Sequence, residues 1–336
     1  MSPDRWRAGT AWRVACPCGR PTREGPRARE PRHRLRAVVA ALLCRAACGA
    51  PAAPPPLTVC LAENNPPLSY RAGEEMRGLD RRIAEAVAAE LGRPLELVPF
   101  ESKHEAESTL SHEVNALLSS GVCELASGFP LLASDLGAPS RPTARVPDHP
   151  GAQRRPLRPW VPLGTLVPSR AYHAVALALL VRDPARERAT LAEPGDARIG
   201  VTAGTLAGTA VTLFRNGRLR PQLVSLSQNQ DALEQLEAGA FDATLASLDR
   251  YDAWRLAHPT SALRRAAYVH PLRINIGFVV RSEATQVLEA TNRVIESRLA
   301  DGELARWSAA TGTSWTAPVD PQVGPPIGLA ELLDND

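Results

Sequence analysis

A unit that occurs twice in the same order constrains this chain most. Leu118-Ser-Ser-Gly121-Val-Cys-Glu124 and Leu236-Glu-Ala-Gly239-Ala-Phe-Asp242 both read as a helix that stops on glycine, followed by a strand that starts near a carboxylate. Glycine suits that stop because it adopts the left-handed backbone that closes a helix. Ahead of the first copy lies an apolar strand at 57–61, then Leu79, Ile83, Val87 and Leu91 at helical spacing before Gly92. A second strand follows at 95–100, a second helix face at Leu110, Val114, Leu117 and Leu118, and a third strand at 122–126. The order returns with a strand at 198–202, a helix opened by Gly204-Thr205, a strand at 222–226, a helix at 231–237 and a strand at 242–246. Strand–helix–strand–helix–strand, present twice, predicts an α/β protein of two doubly wound lobes. A final helix carrying Val287, Val294, Ile295 and Leu299 before Gly302 is expected to end near Trp307 and Trp315.

A length of 336 residues, 44% of them hydrophobic, can furnish two such lobes with cores. Lys plus Arg number 39 against 36 Asp plus Glu, and arginine is concentrated before residue 50, which leaves the remainder near neutral. A nucleic-acid binder would instead carry a basic stripe with interleaved aromatics. The 31 prolines cluster around 51–56 and 139–168, where they act as punctuation. Arg34-Leu-Arg36, the apolar 37–43 and Ala50-Pro51-Ala52 read as a signal peptide over about 34–52, which places the mature protein in the periplasm. Arg45 interrupts its apolar stretch, and a translation start later than Met1 would remove the Arg- and Pro-rich residues ahead of it. Neither Cys44 nor Cys48 stands where a lipoprotein signal needs it, and Cys16-Pro-Cys18 lacks a second ligand pair at zinc spacing.

Seven pieces in order carry a resemblance over about residues 57–316. They are Asn65-Pro-Pro-Leu-Ser-Tyr70, Gly78-Leu-Asp80, Gly121 to Gly128, Tyr172 to Asp183, Ile199-Gly-Val-Thr-Ala-Gly-Thr205, Asn275-Ile-Gly-Phe-Val-Val280 and the helix running to Trp307. Together they resemble the family 3 extracellular solute-binding proteins, which have the type II periplasmic binding fold. Val59-Cys60 and Val122-Cys123 resemble the paired cysteines of members encoded beside quinoprotein alcohol dehydrogenases. The resemblance implies lobe 1 from about 57–172 plus 277–318, lobe 2 from about 175–273, two strands crossing between them as a hinge, and a tail at 319–336. It also implies a monomeric binding protein, with no enzymatic activity and no cofactor, that takes a small polar or anionic ligand and delivers it to the membrane permease of an ABC transporter. One alternative is an accessory protein for a periplasmic quinoprotein dehydrogenase. Another is a dehydratase-like enzyme on the same scaffold, for which Glu63 or Glu101 would supply the acid.

Ligands of open α/β sheets bind beyond the carboxyl ends of the strands. That rule selects Glu63, Asn64, Asn65 and Tyr70 after the first strand, Glu101 after the second, and Ser127, Gly128 and Phe129 after the third. In lobe 2 it selects Thr205 and Leu206, then Ser247 and Asp249, while His270 and Asn275 lie by the returning hinge strand. Gly204-Thr205 reads equally as an anion site at a helix start or as an ordinary cap. Amino-acid binders of this family clamp the ligand carboxylate with an arginine; the matching position here is Asp135. Their lobe 2 aspartate falls on Ser247, or on Asp249 with a shift. A zwitterionic amino acid would leave buried charges unpaired, so the sequence argues against one. In the fold's usual strand order the first and third strands are neighbours, and Cys60 and Cys123 are the cysteines left after signal cleavage, so a disulfide is expected between them. The acidic and histidine-bearing run from Glu101 to Glu113 reads as a solvated helix start rather than a metal site. The proline-rich stretch 139–168 is an insertion that could serve as a lid or docking surface.

Overall fold

The computed structural model describes residues 53–101, 109–153, 157–158, 160–183, 189–192, 196–227, 230–328 and 332. The expected signal peptide, and most of the run from Glu101 to Glu113, lie outside the described residues.

The elements, in chain order, are β1 (Leu57–Ala62), β2 (Asn64–Asn65), β3 (Ser69–Ala72), β4 (Glu75–Arg77), α1 (Leu79–Glu90), β5 (Leu95–Phe100), α2 (Leu110–Ser119) and β6 (Leu125–Pro130). Then come β7 (Thr143–Arg145), β8 (Trp160–Pro162), β9 (Leu166–Val181), β10 (Ile199–Thr202), α3 (Leu206–Gly217) and β11 (Leu223–Leu226). The rest are α4 (Ala232–Glu237), β12 (Ala243–Ser247), α5 (Leu248–Ala257), β13 (Arg264–Arg281), α6 (Thr285–Ala300) and α7 (Glu303–Thr311).

The glycine stops work as the sequence implies. Gly121 and Gly239 take φ values of 75° and 78°. The next amide in each case reaches back five residues, Val122 N–H to Leu117 O at 3.1 Å and Ala240 N–H to Gln235 O at 2.9 Å. These are the bonds that satisfy the last carbonyls of a helix.

Eight strands form one sheet in the order β11-β10-β12-β9-β13-β6-β1-β5. Within each outer trio the first strand lies between the second and third, all parallel. The third strand of each trio then pairs antiparallel with a long central strand, β12 with β9 and β6 with β13. The two crossing strands are thus the middle of a continuous sheet. Alternation along β1 sends Leu57, Val59 and Leu61 into a core under α1, α6 and α7, and sends Cys60 into a separate core with Val114, Leu117 and Phe129. Both faces of the sheet are therefore covered, the doubly wound arrangement.

Several boundaries differ from the sequence reading. The third strand begins at Leu125 rather than 122, because the closing turn of α2 uses the residues up to Glu124. The last helix is two helices, α6 and α7, broken at Gly302 with φ 72°. Cys60 and Cys123 are bonded, with Cα atoms 5.7 Å apart. Cys123 lies in the bend ahead of β6, not within the strand. The insertion contributes the β7–β8 hairpin, where Arg145 stacks over the exposed Trp160. No helix among the described residues is long and apolar enough to cross a membrane.

Candidate functional site

The chain enters the site through a glycine. Gly78 caps α1 with φ 115°, and a Cβ there would fall 2.1 Å from the Leu68 carbonyl oxygen, so no other residue fits. The Asp80 amide donates to that same oxygen at 3.0 Å, which swings the Asp80 side chain into the interior. There Tyr172 of β9 donates its phenol to Asp80 Oδ1 at 2.6 Å. Burial pushes the Asp80 carboxyl up to about 6, against the hydrogen bond from Tyr172, the nearby Ser127 hydroxyl and the charge of His173. Burial, followed by the Asp80 charge, holds the Tyr172 phenol well above its ordinary range.

Gly128, at φ 66°, brings the backbone of β6 against this group; a Cβ there would lie 3.3 Å from Asp80 Oδ2 and 3.4 Å from Asn65 Nδ2. Asn65, Asp80 and Gly128 therefore converge on one point. Asp80 Oδ2 and Ser127 Oγ are both buried, and neither has a partner in hydrogen-bond geometry.

The next residue of β9 continues the line on the strand's other side. His173 Nε2 lies 3.2 Å from Asp249 Oδ1, and the Thr316 N–H donates to His173 Nδ1 at 3.3 Å. Since that amide can only donate, it selects the tautomer in which Nδ1 accepts and Nε2–H faces Asp249. Asp249 sits in the first turn of α5, capped by Ser247, whose hydroxyl accepts from the Arg250 N–H. Asp252 in the same helix accepts from Ser314 N–H at 2.6 Å and Ser314 Oγ at 2.8 Å, and burial raises its carboxyl. A line of hydrogen-bonded groups thus runs from Asp80 beside one parallel trio, through adjacent residues of β9, to Asp249 beside the other.

Of the residues chosen from sequence, Asn65, Ser127, Gly128 and Asp249 meet here. The others are placed elsewhere. Glu63 is held by Arg71 at 2.7 Å, Asn64 is exposed and pairs with Tyr70 across the β2–β3 ladder, and Glu101 bridges to Asp148 at the end of β5. Tyr70 lines a groove of about 910 Å³ with Arg77, Arg81, Arg82 and Trp307. Phe129 is 1% exposed and packs in the disulfide core, so its side chain serves packing. Thr205 caps α3 by accepting from the Gly208 N–H at 3.0 Å, ahead of Leu206. Gly204 and Thr202 line a cavity of about 360 Å³ with Thr209 and Ser225 beside that cap. His270 is fully buried and accepts the Leu272 N–H on Nδ1. The Asn275 amide donates to Val319, Pro321 and Gln322 carbonyls and accepts the Val319 N–H, so it anchors the segment after α7. His270 and Asn275 are taken up by local structure, because a buried polar side chain with backbone partners is costly to re-route.

Asp80, Tyr172, His173 and Asp252 were not chosen from sequence. Asp80 carried a signal: it is a carboxylate among Leu79, Ile83, Ala84 and Val87 in the buried stripe of α1. Tyr172 and His173 are polar-tipped residues inside a long apolar strand.

No family model and no curated protein matches the chain. Solved structures do. The L-cystine solute receptor of Neisseria gonorrhoeae, in its unliganded open conformation, aligns with TM-score 0.53 and 15% identity over 78% of this chain and 94% of that one. An ancestral cationic amino-acid solute-binding protein aligns with TM-score 0.52 and 16% identity over 76% and 95%. The second substrate-binding domain of a putative amino-acid ABC transporter from Streptococcus pneumoniae aligns with TM-score 0.54 and 14% identity over 75% and 98%. What this chain shares with them is the fold, that of the type II periplasmic binding proteins.

Proposed function

We propose that the chain is a periplasmic solute-binding protein that holds a small polar ligand between two lobes, about 57–172 plus 277–318 and about 175–273, and hands it to an ABC-type permease. The carrying observation is the unpartnered pair Asp80 Oδ2 and Ser127 Oγ at the head of a polar line that spans both parallel trios. Buried polar groups without partners are uncommon and cost about 1–3 kcal/mol each, which a ligand's hydroxyl or amine would recover. Asp80 can donate when protonated and accept when charged. An anionic group of the ligand would sit at the other end, by Gly204 and the start of α3. The disulfide fits an oxidising compartment.

Among the described residues no arginine forms an ion pair with Asp80 or Asp249, and Asp135 stands where amino-acid binders place their clamp. Titration calorimetry is therefore expected to find common amino acids binding no tighter than about millimolar, roughly 4 kcal/mol. A panel of polyols, sugars, amines and hydroxy acids should contain a solute that binds far more tightly, and Ser127→Ala should weaken it. Micromolar amino-acid binding, or an unaltered affinity in Ser127→Ala, would contradict the reading. A second reading, an accessory role beside a quinoprotein dehydrogenase, rests on the disulfide joining the two cysteines that carried that resemblance. It predicts a dehydrogenase that copurifies.

A further inference from the structure

The groove that takes Tyr70 has a chemistry of its own. It encloses about 910 Å³, within the range of small-molecule sites. Tyr70 and Trp307 supply aromatic surface, Leu256 of α5 closes one part with an apolar side chain that is 45% exposed, and Arg77, Arg81 and Arg82 supply charge. The one carboxylate in the lining, Glu85, is taken by Arg81 Nε at 2.9 Å. Arg81 also spends Nη1 on the Met76 carbonyl at 2.8 Å, which fixes its guanidinium and leaves Nη2 free for another acceptor. Arg77 meets only Glu75, at 3.6 Å with both side chains more than half exposed, a separation and exposure at which an ion pair contributes little. Arg82 is exposed and makes no ion pair or hydrogen bond with any described residue. The groove thus presents an uncompensated positive field beside flat apolar walls.

We propose that this groove is a second binding site, separate from the Asp80–Asp249 line, for a small aromatic carboxylate. Guanidinium groups match a carboxylate in plane and hydrogen-bond spacing, and they also stack on aromatic faces. The ring would lie along Tyr70 and Trp307, and the carboxylate would reach Arg82 and Arg77. Leu256 lies on α5 whereas Tyr70 and the arginines lie on β3, β4 and the start of α1, so an occupant would touch elements of both halves of the sheet.

The test is titration calorimetry of the full chain with sodium 2-naphthoate. Measurable binding is expected, weakened about tenfold by the double change Arg77→Gln and Arg82→Gln and weakened further by added salt. The uncharged 2-naphthamide should bind about tenfold more weakly than the acid. Both arginines are exposed, and circular dichroism checks that the variant folds. Asp249→Asn should leave naphthoate affinity unchanged, which separates this site from the proposed solute site. Absence of binding, equal binding by the amide, or an unchanged affinity in the double variant would overturn the proposal.

Discussion

The two parallel trios of the sheet are built to one plan and held together differently. Each places its first strand in the middle, and each ends its second helix on a left-handed glycine. Each also places a carboxylate residue immediately ahead of its third strand, and the amide of that residue donates to a carbonyl in or just before the first strand: Glu124 N–H to Thr58 O at 3.0 Å, and Asp242 N–H to Arg198 O at 2.9 Å. The first trio then adds a covalent tie from Cys60 to Cys123 and an ion pair from Arg93 to Glu124. In the second the residue matching Glu124, Asp242, instead accepts the Arg198 N–H on its carboxylate at 2.7 Å. That trio relies on close approach: Phe241 packs flat against Gly200, and Thr244 Oγ1 donates to the Gly200 carbonyl at 2.8 Å. The topology therefore does not require the cross-link. It is an addition to the trio that also carries Asp80, the carboxyl most disturbed by burial, and a tied strand end would hold Ser127 and Gly128 in place.

The largest effect expected from breaking this contrast is loss of the disulfide. The bridge closes a separation of 63 residues, for which chain-entropy arithmetic gives about 4 kcal/mol. Cys60→Ser with Cys123→Ser should lose stability of that order in denaturant unfolding, with the loss confined to protection of β1, β5 and β6 in hydrogen exchange. Free thiols in oxidised protein would contradict the bridge. In the second trio the matching weak point is Gly200, where a Cβ would fall 2.3 Å from the Phe241 ring. Gly200→Val should cost about 3 kcal/mol through overpacking, and Phe241→Leu in the same chain should recover part of it. Equal stability of Gly200→Val and wild type would refute the close packing.

A third prediction concerns Asp80. Its folded-state pKa of about 6 lies above the ordinary 3.8, so the native state binds the proton more tightly than the unfolded chain does. The stability this provides is present below about pH 4 and is lost as pH rises through 6. Over that window the wild type should fall by about 3 kcal/mol relative to Asp80→Asn, by the linkage between proton binding and folding. Parallel pH profiles for the two proteins would contradict the burial of this carboxyl. The smallest effect belongs to the segment after α7: Ser314→Ala removes one hydrogen bond to Asp252 and should cost about 1 kcal/mol.

The repeat, both sets of parallel strands and the disulfide were legible because each rests on local pattern: helical spacing, a glycine stop, one cysteine in the first strand and one just ahead of its neighbour. The candidate site was legible only in part. Asn65, Ser127, Gly128 and Asp249 follow from position at strand ends, a topological rule. Phe129 satisfies the same rule yet turns inward, because alternation along a strand decides which neighbour faces the core, and His270, chosen for its place by the returning hinge strand, is buried as well. Asp80, Tyr172 and His173 depend on contacts between residues 92 positions apart (Asp80 with Tyr172) and 76 apart (His173 with Asp249), which no local pattern encodes. The length of β13 was hidden because its first residues alternate exposed and buried, without a continuous apolar run.

Whether the polar line between the two trios holds a small solute is decided by native mass spectrometry of the protein purified from periplasm without denaturation. One discrete bound mass is expected on the wild type, absent from Ser127→Ala and from Asp249→Asn while both variants retain wild-type circular dichroism. A wild type that carries no bound mass and gains no stability from any solute of the panel would contradict solute binding there, as would a bound mass that persists unchanged in both variants.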